Sequence, residues 1–375
     1  MDALVTDAHI PSSVAGLREL GRAGLRVLAS GPAWSAAGLW SRYAAGRARV
    51  PDSATEPDRF ADAVARLAGA NGRPVVYPGH EDAVEAIVHA AERLSRVAIL
   101  PFPTGEPLEA LRDKRRLGEL AERAGFAAPA VMAVGSAGDL DAFDLHAPSV
   151  VKAARSSLRL PAAGFARDRR ELEALLRRFP PDETVIVQER LGNSVTALAL
   201  VVDRGGRLVA RFQYQSLATW PRAGGMISSG VSVAPDEALV ARLASMLAEL
   251  GYFGLVQFDL LPARGGVALI DANPRFYASQ PLAFAAGLNL SAAWHAVARG
   301  DEPGAPRPYR EGVRFRWLEA DLKDAVRGHP RSLLAVQRPR PVGPMWDRAD
   351  PVPGPLLAAG AVAAAARNRV RRLTS

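Results

Sequence analysis

The stretch that decides the fold is Gly251–Phe276, GYFGLVQFDLLPARGGVALIDANPRF. It contains two apolar segments, Leu255–Leu261 and Val267–Ile270, which are separated by the pair Gly265-Gly266. A glycine pair supplies the positive φ angles that a tight hairpin turn demands. The stretch therefore predicts two antiparallel strands.

Polar side chains lie along one face of this predicted hairpin. Because strand side chains alternate between faces, Gln257 and Asp259 share one side, and the second strand can place Asp271 and Asn273 beside them. Oxygen ligands of this kind suit Mg2+, which keeps waters and is completed by substrate phosphates. Arg275 would face the same phosphates as a planar donor fork. A single D-x-N-x-R pentapeptide also fits a plain surface hairpin that is capped by Asp and Asn.

The composition is that of a globular protein with two or three domains. The chain has 375 residues, of which 49% are hydrophobic and 23% are charged, and its net charge is +8. It contains no cysteine, which excludes disulfides, thiol nucleophiles and Cys-ligated zinc. The amino terminus lacks the cations of a signal peptide, and the longest apolar run, Leu356–Ala366, is shorter than the ~20 residues that span a bilayer. We therefore expect a soluble cytoplasmic protein.

Lysine is the rare cation of this chain and occurs only at Lys114, Lys152 and Lys323. In a sequence in which almost every basic residue is arginine, a lysine remains either by chance or where a compact ammonium group is needed. Lys114 follows Asp113 at the start of a predicted helix, and Lys152 ends the apolar segment Ser149–Lys152. A cation at the end of a strand can neutralise phosphate oxygens as a point charge.

The first hundred residues alternate between strand and helix patterns. Segments with helical spacing separate short apolar runs at Ala3–Val5, Leu25–Ala29, Val75–Tyr77 and Val97–Leu100. This alternation predicts a parallel sheet covered by helices on both faces. The loop after the first run, Thr6–Ser13, contains no glycine. The dinucleotide-binding fingerprint is therefore absent, which excludes a nicotinamide or flavin enzyme.

Together these motifs resemble the ATP-grasp superfamily, in which a Glu or Gln on one strand and E-x-N-P-R on the next hold the magnesium of MgATP. Here Gln257 stands at the first position, and Asp271 stands where Glu is usual. The resemblance implies that Gln257, Asp271 and Asn273 bind the metal, with Asp259 as a substitute ligand. It also implies a catalytic role for Arg275 at the phosphates.

The same resemblance implies a set of nucleotide-binding residues. Lys114 and Lys152 match the two lysines that reach the phosphates in the family, and Lys152 is also given a catalytic role. The segment Thr184–Gly192 resembles the hinge that hydrogen-bonds adenine, and Asn193 falls near the usual position of an acid that binds the ribose. The implied nucleotide-binding residues are Lys114, Lys152, Gln188, Glu189, Leu191 and Asn193.

The loop after Lys152 departs from the family pattern. Ala153 replaces the proline of the family, and Ala154-Arg155-Ser156-Ser157 lacks the usual glycines. Serine hydroxyls and backbone N–H groups can still cradle a phosphate, but we expect a stiffer loop than a glycine-rich one.

Two further segments are candidates for contact with the acceptor substrate. Trp220–Gly225 resembles the P-x-G-G segment of the family, and its glycines predict a hinged lid or, alternatively, an ordinary surface loop. His80 and Glu81 follow the predicted strand Val75–Tyr77. They are either substrate contacts or part of a helix amino terminus, where an acid is favoured.

The resemblance implies an α/β and α+β protein, in which an ATP-grasp fold follows an amino-terminal parallel α/β domain. We place the amino-terminal domain at 1–103 and the ATP-grasp domain at 104–303, with subdomains of about 104–190 and 191–303. A carboxy-terminal extension, 304–375, contains an expected strand at Gly312–Trp317 and a basic helix at Ala358–Arg372. We interpret this helix as exposed to solvent and not as a nucleic-acid-binding or membrane-binding helix, because no aromatic residues lie between its arginines.

The implied activity is an ATP-dependent ligase that activates a small-molecule carboxylate as an acyl phosphate for attack by an amine, with release of ADP and phosphate. ATP and Mg2+ are the implied cofactors, with Mn2+ as an alternative metal. We expect small-molecule partners and no nucleic acid or membrane, and a homodimer is compatible with the sequence. The alternatives are a phosphoryl-transfer or carboxylating ATP-grasp enzyme and a non-catalytic nucleotide-binding relative.

Overall fold

The computed structural model describes residues 1–139, 148–192, 194–222, 224–302, 304–321 and 341–361. These residues form three sheets, one parallel and two antiparallel, with helices packed against them. Of the residues singled out from the sequence, Asn193 and Lys323 lie outside the described residues, as does most of the predicted helix Ala358–Arg372. Within the described ranges, no helix combines the length and apolar character needed to cross a membrane.

The amino-terminal sheet is parallel, with strand order β3-β2-β1-β4. Its strands are β1 (Ala3–Val5), β2 (Val27–Gly31), β3 (Ala44–Arg49) and β4 (Val75–Tyr77). The helices of this region are α1 (Pro11–Arg22), α2 (Pro57–Ala70), α3 (Glu81–His89) and α4 (Ala91–Ser95). The predicted strand Val97–Leu100 is wrong as a full strand, because only Ile99 forms a bridge, to Val75.

Strand β3 is missing from the sequence prediction. Its sequence, AAGRAR, alternates small residues with arginine and is half-buried at every second position. No apolar run marks it, because it lies at the edge of the sheet and buries little side-chain surface.

The small antiparallel sheet has the strand order β5-β8-β6-β7. Its strands are β5 (Val131–Ser136), β6 (Ser149–Ala153), β7 (Gly164–Ala166) and β8 (Thr184–Glu189), and the helices of this region are α5 (Glu106–Arg112), α6 (Lys114–Arg123) and α7 (Arg169–Leu176). One face of the sheet packs on α7, with Val151 and Val187 against Leu172 in the core. Because side chains alternate, the neighbouring residue Lys152 lies on the opposite face.

The large antiparallel sheet has the strand order β13-β12-β9-β10-β11-β14. Its strands are β9 (Thr196–Val202), β10 (Leu208–Trp220), β11 (Met226–Ser232), β12 (Gly254–Ala263), β13 (Gly266–Asn273) and β14 (Arg314–Arg316). Its helices are α8 (Glu237–Leu250), α9 (Pro281–Ala286) and α10 (Leu290–Arg299). The last two are separate helices, because Gly287 ends α9 in the left-handed region and Asn289 caps α10.

The hairpin that decides the fold is confirmed as β12 and β13. Gly265 and Gly266 have φ angles of +82° and +148°, as the tight turn requires. The antiparallel register places Gln257 opposite Asn273 and Asp259 opposite Asp271. The predicted row of oxygen-bearing side chains therefore exists along one face of the hairpin.

The carboxy-terminal segment 341–361 contacts the amino-terminal region of the chain. Arg18 of α1 donates a hydrogen bond from Nε to Asp350 Oδ2 over 2.8 Å, and the two side chains are only 4% and 1% exposed. Asp350 also accepts hydrogen bonds from the Ser41 hydroxyl and from the backbone N–H of Arg42. Asp350 thus attaches this segment to α1 and to the residues that precede β3.

Candidate active site

Two of the three lysines meet at the end of β13. Lys152 Nζ donates a hydrogen bond to Ile270 O over 3.3 Å. Lys114 Nζ lies 3.4 Å from Asp271 Oδ1 and donates to Ser156 Oγ over 2.9 Å. The fold therefore brings together strand β6 of the small sheet, the first residue of α6 and the carboxy-terminal half of β13.

Local structure fixes the position of Lys114. The Asp113 carboxylate caps α6 by accepting hydrogen bonds from the backbone N–H groups of Arg115 and Arg116. The backbone N–H of Lys114 donates to Ala154 O over 3.1 Å. The start of α6 is therefore joined to the loop that follows β6.

The lysine pair is electrostatically suited to an anion. Burial and the nearby Lys114 ammonium together lower the pKa of Lys152 to about 8, against the opposing effect of the Asp271 carboxylate. Two ammonium groups beside one carboxylate leave a net positive charge at neutral pH. An anionic ligand such as a phosphate would relieve the repulsion between the two cations.

The oxygen row is linked by side-chain hydrogen bonds. Asn273 Nδ2 donates to Gln257 Oε1 over 3.0 Å, and Gln257 Nε2 donates to Asp259 Oδ1 over 2.7 Å. Burial and the neighbouring Asp271 carboxylate raise the pKa of Asp259 to about 7, against the opposing effects of Gln257 and Arg275. Asp259 is therefore only partly ionised at neutral pH, and a cation bound to the row would favour its ionised form.

This donor set fits a hard divalent cation. Gln257, Asp271 and Asn273 offer carboxylate and amide oxygens, and Asp259 adds a fourth oxygen-bearing side chain to the row. Among the described residues, no group of three or more His, Cys, Asp or Glu side chains could hold a metal alone. A cation bound here would therefore depend on amide oxygens, water and ligand phosphates for much of its coordination.

Arg275 lies at the edge of this row, and Glu81 holds it there. Its Nη2 donates to Asn273 Oδ1 over 2.8 Å, and its Nε donates to Glu81 Oε1 over 2.9 Å. Glu81 is 4% exposed and also accepts a hydrogen bond from Arg112 Nε over 3.0 Å. Burial alone would raise the pKa of Glu81, but the Arg275 and Arg112 guanidinium groups lower it below its ordinary value. Both oxygens of this carboxylate are thus engaged by arginines, which is a contact that the sequence did not predict.

Known structures share this arrangement of elements. No protein-family model and no curated protein sequence matches the chain. It is similar to the N5-carboxyaminoimidazole synthetase of Staphylococcus aureus, with a TM-score of 0.65, 12% identity and coverage of 91% of this chain and 92% of that one. The L-amino acid ligase of Bacillus licheniformis has a TM-score of 0.60 and 18% identity, with 80% of this chain and 74% of that one covered.

A third similar structure contains a nucleotide. It is the biotin carboxylase domain dimer of the Hydrogenobacter thermophilus 2-oxoglutarate carboxylase, in complex with MgADP, ADP and bicarbonate. The TM-score is 0.64 and the identity 16%, with 84% of this chain and 73% of that one covered. All three neighbours are ATP-grasp proteins. The chain has the ATP-grasp fold. The predicted combination of a parallel α/β sheet with antiparallel sheets is thereby confirmed.

The segment expected to be the hinge of the ATP-grasp fold is the end of β8. Gln188 pairs with Val150 and Ile186 with Lys152, so Gln188 and Lys152 lie on the same face of the sheet. The side chain of Gln188 is buried and that of Glu189 is exposed. The backbone N–H of Glu189 donates to Ala130 O over 2.8 Å and is used within the fold.

Half-buried Leu191 follows at the end of this segment. The backbone N–H of Arg190 donates to Pro148 O over 3.1 Å. Leu191 is therefore the first hinge residue whose backbone lies beyond these hydrogen bonds of the small sheet. The roles of Gln188, Glu189 and Leu191 at a nucleotide stay predictions.

The expected lid of the ATP-grasp fold joins β10 to β11. Gly224 and Gly225 have φ angles of +138° and +152°, which residues other than glycine rarely adopt. A Cβ atom at Gly224 would come within 2.3 Å of the Phe165 ring, so this loop reaches strand β7 of the small sheet. The loop thus lies between the two antiparallel sheets, and its function as a lid stays a prediction.

Proposed function

We propose that the protein is an ADP-forming ATP-grasp ligase that joins a small-molecule carboxylate to an amine. The observation that carries the proposal is the convergence of Lys114, Lys152 and Arg275 on the oxygen row of the hairpin. These residues lie at one place in the fold, where they would offer cations to phosphates and oxygen ligands to a divalent cation. The ATP-grasp fold of the chain and the MgADP in a structure that shares this fold support it.

Mg2+ would be held by Gln257, Asp271 and Asn273, with Asp259 as an additional oxygen ligand, and would supply positive charge to the phosphate oxygens. Lys114 and Lys152, whose ammonium groups lie near Asp271, would neutralise phosphate charge. The hinge residues Gln188, Glu189 and Leu191 would bind adenine, and Asn193 would lie near the ribose.

The reaction would proceed by two displacements. A carboxylate oxygen of the substrate attacks the γ-phosphorus of ATP, so that an acyl phosphate forms and ADP leaves. The amine then attacks the acyl carbon, an amide bond forms, and inorganic phosphate leaves. Arg275, which Glu81 and Asn273 orient, would donate hydrogen bonds to the transferred phosphoryl group, and the protein would act mainly by positioning and charge neutralisation.

A carboxylating reaction is the second candidate. It is favoured by the match to the N5-carboxyaminoimidazole synthetase, which extends over 91% of this chain and 92% of the synthetase. In that case bicarbonate takes the place of the carboxylate and the first displacement gives carboxyphosphate. A homodimer is also part of this proposal, because the carboxylase domain with the same fold is a dimer.

The proposal is tested by a substrate panel. The protein is incubated with MgATP, each of a set of carboxylates including bicarbonate, and either an amine mixture or hydroxylamine, and ADP and AMP are measured separately. We expect ADP and phosphate in equal amounts and a hydroxamate with the correct carboxylate, because hydroxylamine captures acyl phosphates. A Lys152→Met variant is the control for contaminating ATPases.

The products distinguish the alternatives. AMP with pyrophosphate would mean adenylation and would overturn the ligase mechanism. A stable phosphorylated product that does not react with hydroxylamine would indicate a kinase. ADP release only with bicarbonate would favour the carboxylating reaction. Ordinary MgATP affinity with slow ADP release that no substrate accelerates would indicate a non-catalytic nucleotide-binding protein.

A further inference from the structure

The loop that follows β6 is attached to the amino-terminal sheet region. We call residues 154–158 the phosphate loop, because they follow Lys152 directly. Ser157 Oγ donates to Asp82 Oδ1 over 2.5 Å, and the backbone N–H of Leu158 donates to Asp82 Oδ2 over 2.8 Å. Asp82 is in the first turn of α3, immediately after β4. One carboxylate therefore binds two successive residues of the phosphate loop.

Other side chains also contact the phosphate loop. Lys114 Nζ donates to Ser156 Oγ over 2.9 Å. Arg155 Nη2 lies 2.6 Å from Glu109 Oε2, and Arg155 Nη1 lies 3.7 Å from Glu85 Oε2. The Arg155 side chain is 41% exposed, so its ion pairs contribute little energy. The Asp82 carboxylate is 12% exposed and offers the stronger attachment.

Asp82 is equipped to remain ionised in this position. Burial would raise its pKa, but His80, Ser157 and the backbone N–H of Leu158 together lower it below the ordinary value. His80 Nδ1 lies 3.1 Å from Asp82 Oδ2. Hydrogen bonds to an ionised acceptor are roughly twice as strong as neutral ones. The attachment is therefore present throughout the neutral pH range.

We propose that Asp82 is a positioning residue that holds the phosphate loop closed beside the two lysines. This inference rests on the proposed function for the meaning of the loop. It accounts for the absence of glycine from residues 154–158, because a loop fixed by a carboxylate does not need the conformational freedom of glycine to reach its closed position.

The neighbouring residue makes the arrangement more specific. Glu81 binds Arg275 at the edge of the oxygen row, while Asp82 binds the phosphate loop. Two consecutive acids in the first turn of α3 thus bind two separate parts of the candidate site, Arg275 and the phosphate loop. The amino-terminal sheet region would in this way set the geometry of a site to which it contributes no phosphate ligand.

The first experiment needs no nucleotide. Trypsin cleavage after Arg155 and Arg159, and amide hydrogen exchange at Leu158, are compared in the wild type, Asp82→Ala and Ser157→Ala. We expect both cleavage and exchange to increase about tenfold or more in Asp82→Ala, as for the loss of a charge-assisted hydrogen bond. Ser157→Ala should show a smaller increase, because the Leu158 hydrogen bond remains.

Asp58→Ala is the matched control. Asp58 is an exposed first-turn acid of α2, so its replacement removes the same helix-dipole interaction without touching the phosphate loop. Cleavage and exchange in this variant should equal those of the wild type. Wild-type rates in Asp82→Ala would overturn the proposal, and so would an increase of equal size in Asp58→Ala.

The second experiment measures the dissociation of a fluorescent ADP analogue in the presence of Mg2+. We expect Asp82→Ala to increase the dissociation rate about tenfold, because the loop must be ordered again in each complex. The effects of Asp82→Ala and Ser157→Ala should not add, because the two residues share one hydrogen bond. A wild-type dissociation rate in Asp82→Ala would refute the positioning role. No binding by the wild type would refute the proposed function instead, and the trypsin result would still decide whether Asp82 holds the loop.

Discussion

Replacement of Lys152 by methionine is expected to weaken MgATP binding and to abolish its pH dependence above pH 7. Methionine keeps the length of the side chain while it removes the ammonium that hydrogen-bonds Ile270 O. The loss of one charge-assisted hydrogen bond to phosphate is worth about 1–3 kcal/mol, or about 5- to 150-fold in affinity. The wild-type fold should survive, because methionine is easily accommodated at a half-buried position.

The pH dependence follows from the depressed pKa of Lys152. With a pKa of about 8, the side chain is ~90% protonated at pH 7 and ~10% protonated at pH 9. A bound phosphate favours the protonated form, so the wild type should take up a proton on binding at pH 9. Its affinity for a non-hydrolysable MgATP analogue should then fall about tenfold between pH 7 and pH 9.

Whereas the affinity for the nucleotide should fall as the pH rises, the free energy of unfolding of the unliganded protein should increase. The pKa of Lys152 is about 8 in the folded protein and 10.5 in the unfolded chain. Between these two pH values the unfolded chain binds more protons than the folded protein, so the contribution of Lys152 to the free energy of unfolding rises with pH. The contribution is absent from Lys152→Met.

Isothermal titration calorimetry in buffers of different ionisation enthalpy measures both the affinity and the proton uptake. Lys152→Arg is the matched control, because it keeps the positive charge but titrates only at much higher pH. Its affinity should be nearly constant from pH 7 to pH 9. Equal affinities of the wild type and Lys152→Met at pH 7 would remove Lys152 from the nucleotide site.

Three other substitutions probe the neighbours of this lysine. Asp271→Ala should leave the fold intact and abolish Mg2+-dependent ATP turnover, because it removes a carboxyl ligand from the oxygen row. Glu81→Gln should lower kcat more than it changes KM for ATP, because Arg275 loses its ionised partner and its fixed orientation. Asp350→Asn should lower the free energy of unfolding by about 3 kcal/mol or more in urea denaturation, because it leaves the buried Arg18 cation unpaired.

Each of these substitutions has a control. Asp203→Ala, in the exposed turn between β9 and β10, should not affect turnover, and full turnover in Asp271→Ala would refute the metal assignment. Glu237→Gln, which breaks an ion pair with Arg211 outside the candidate site, should leave kcat unchanged, whereas an unchanged kcat in Glu81→Gln would exclude the positioning of Arg275. Glu92→Gln breaks an ion pair that is largely exposed and should alter stability by less than about 1 kcal/mol. A similarly small change in Asp350→Asn would contradict the stabilising role of the ion pair between Arg18 and Asp350.

The sequence predicted the parts of the site that lie within one element. The Gly265-Gly266 turn and the alternation of Gln257 and Asp259 define a hairpin and its polar face from local geometry alone. Lys114 and Lys152 were conspicuous because lysine is rare here.

The sequence could not show contacts between distant elements. The ion pair of Glu81 with Arg275 joins residues 194 positions apart, and the hydrogen bond of Ser157 to Asp82 joins residues 75 positions apart. Alone, Asp82 looks like an ordinary first-turn acid of a helix. Asp350 lies in a segment rich in proline and arginine, where no periodic pattern indicates that it is buried.

The most direct test of the ligase mechanism follows the oxygen atoms of the carboxylate. The protein is incubated with MgATP, an amine and an active carboxylate from the panel that carries ¹⁸O in both oxygens, and the phosphate is analysed by mass spectrometry. An acyl phosphate intermediate predicts that each inorganic phosphate contains one ¹⁸O atom, because the attacking carboxylate oxygen leaves with the phosphoryl group. Unlabelled phosphate, or ¹⁸O found in AMP, would contradict the mechanism.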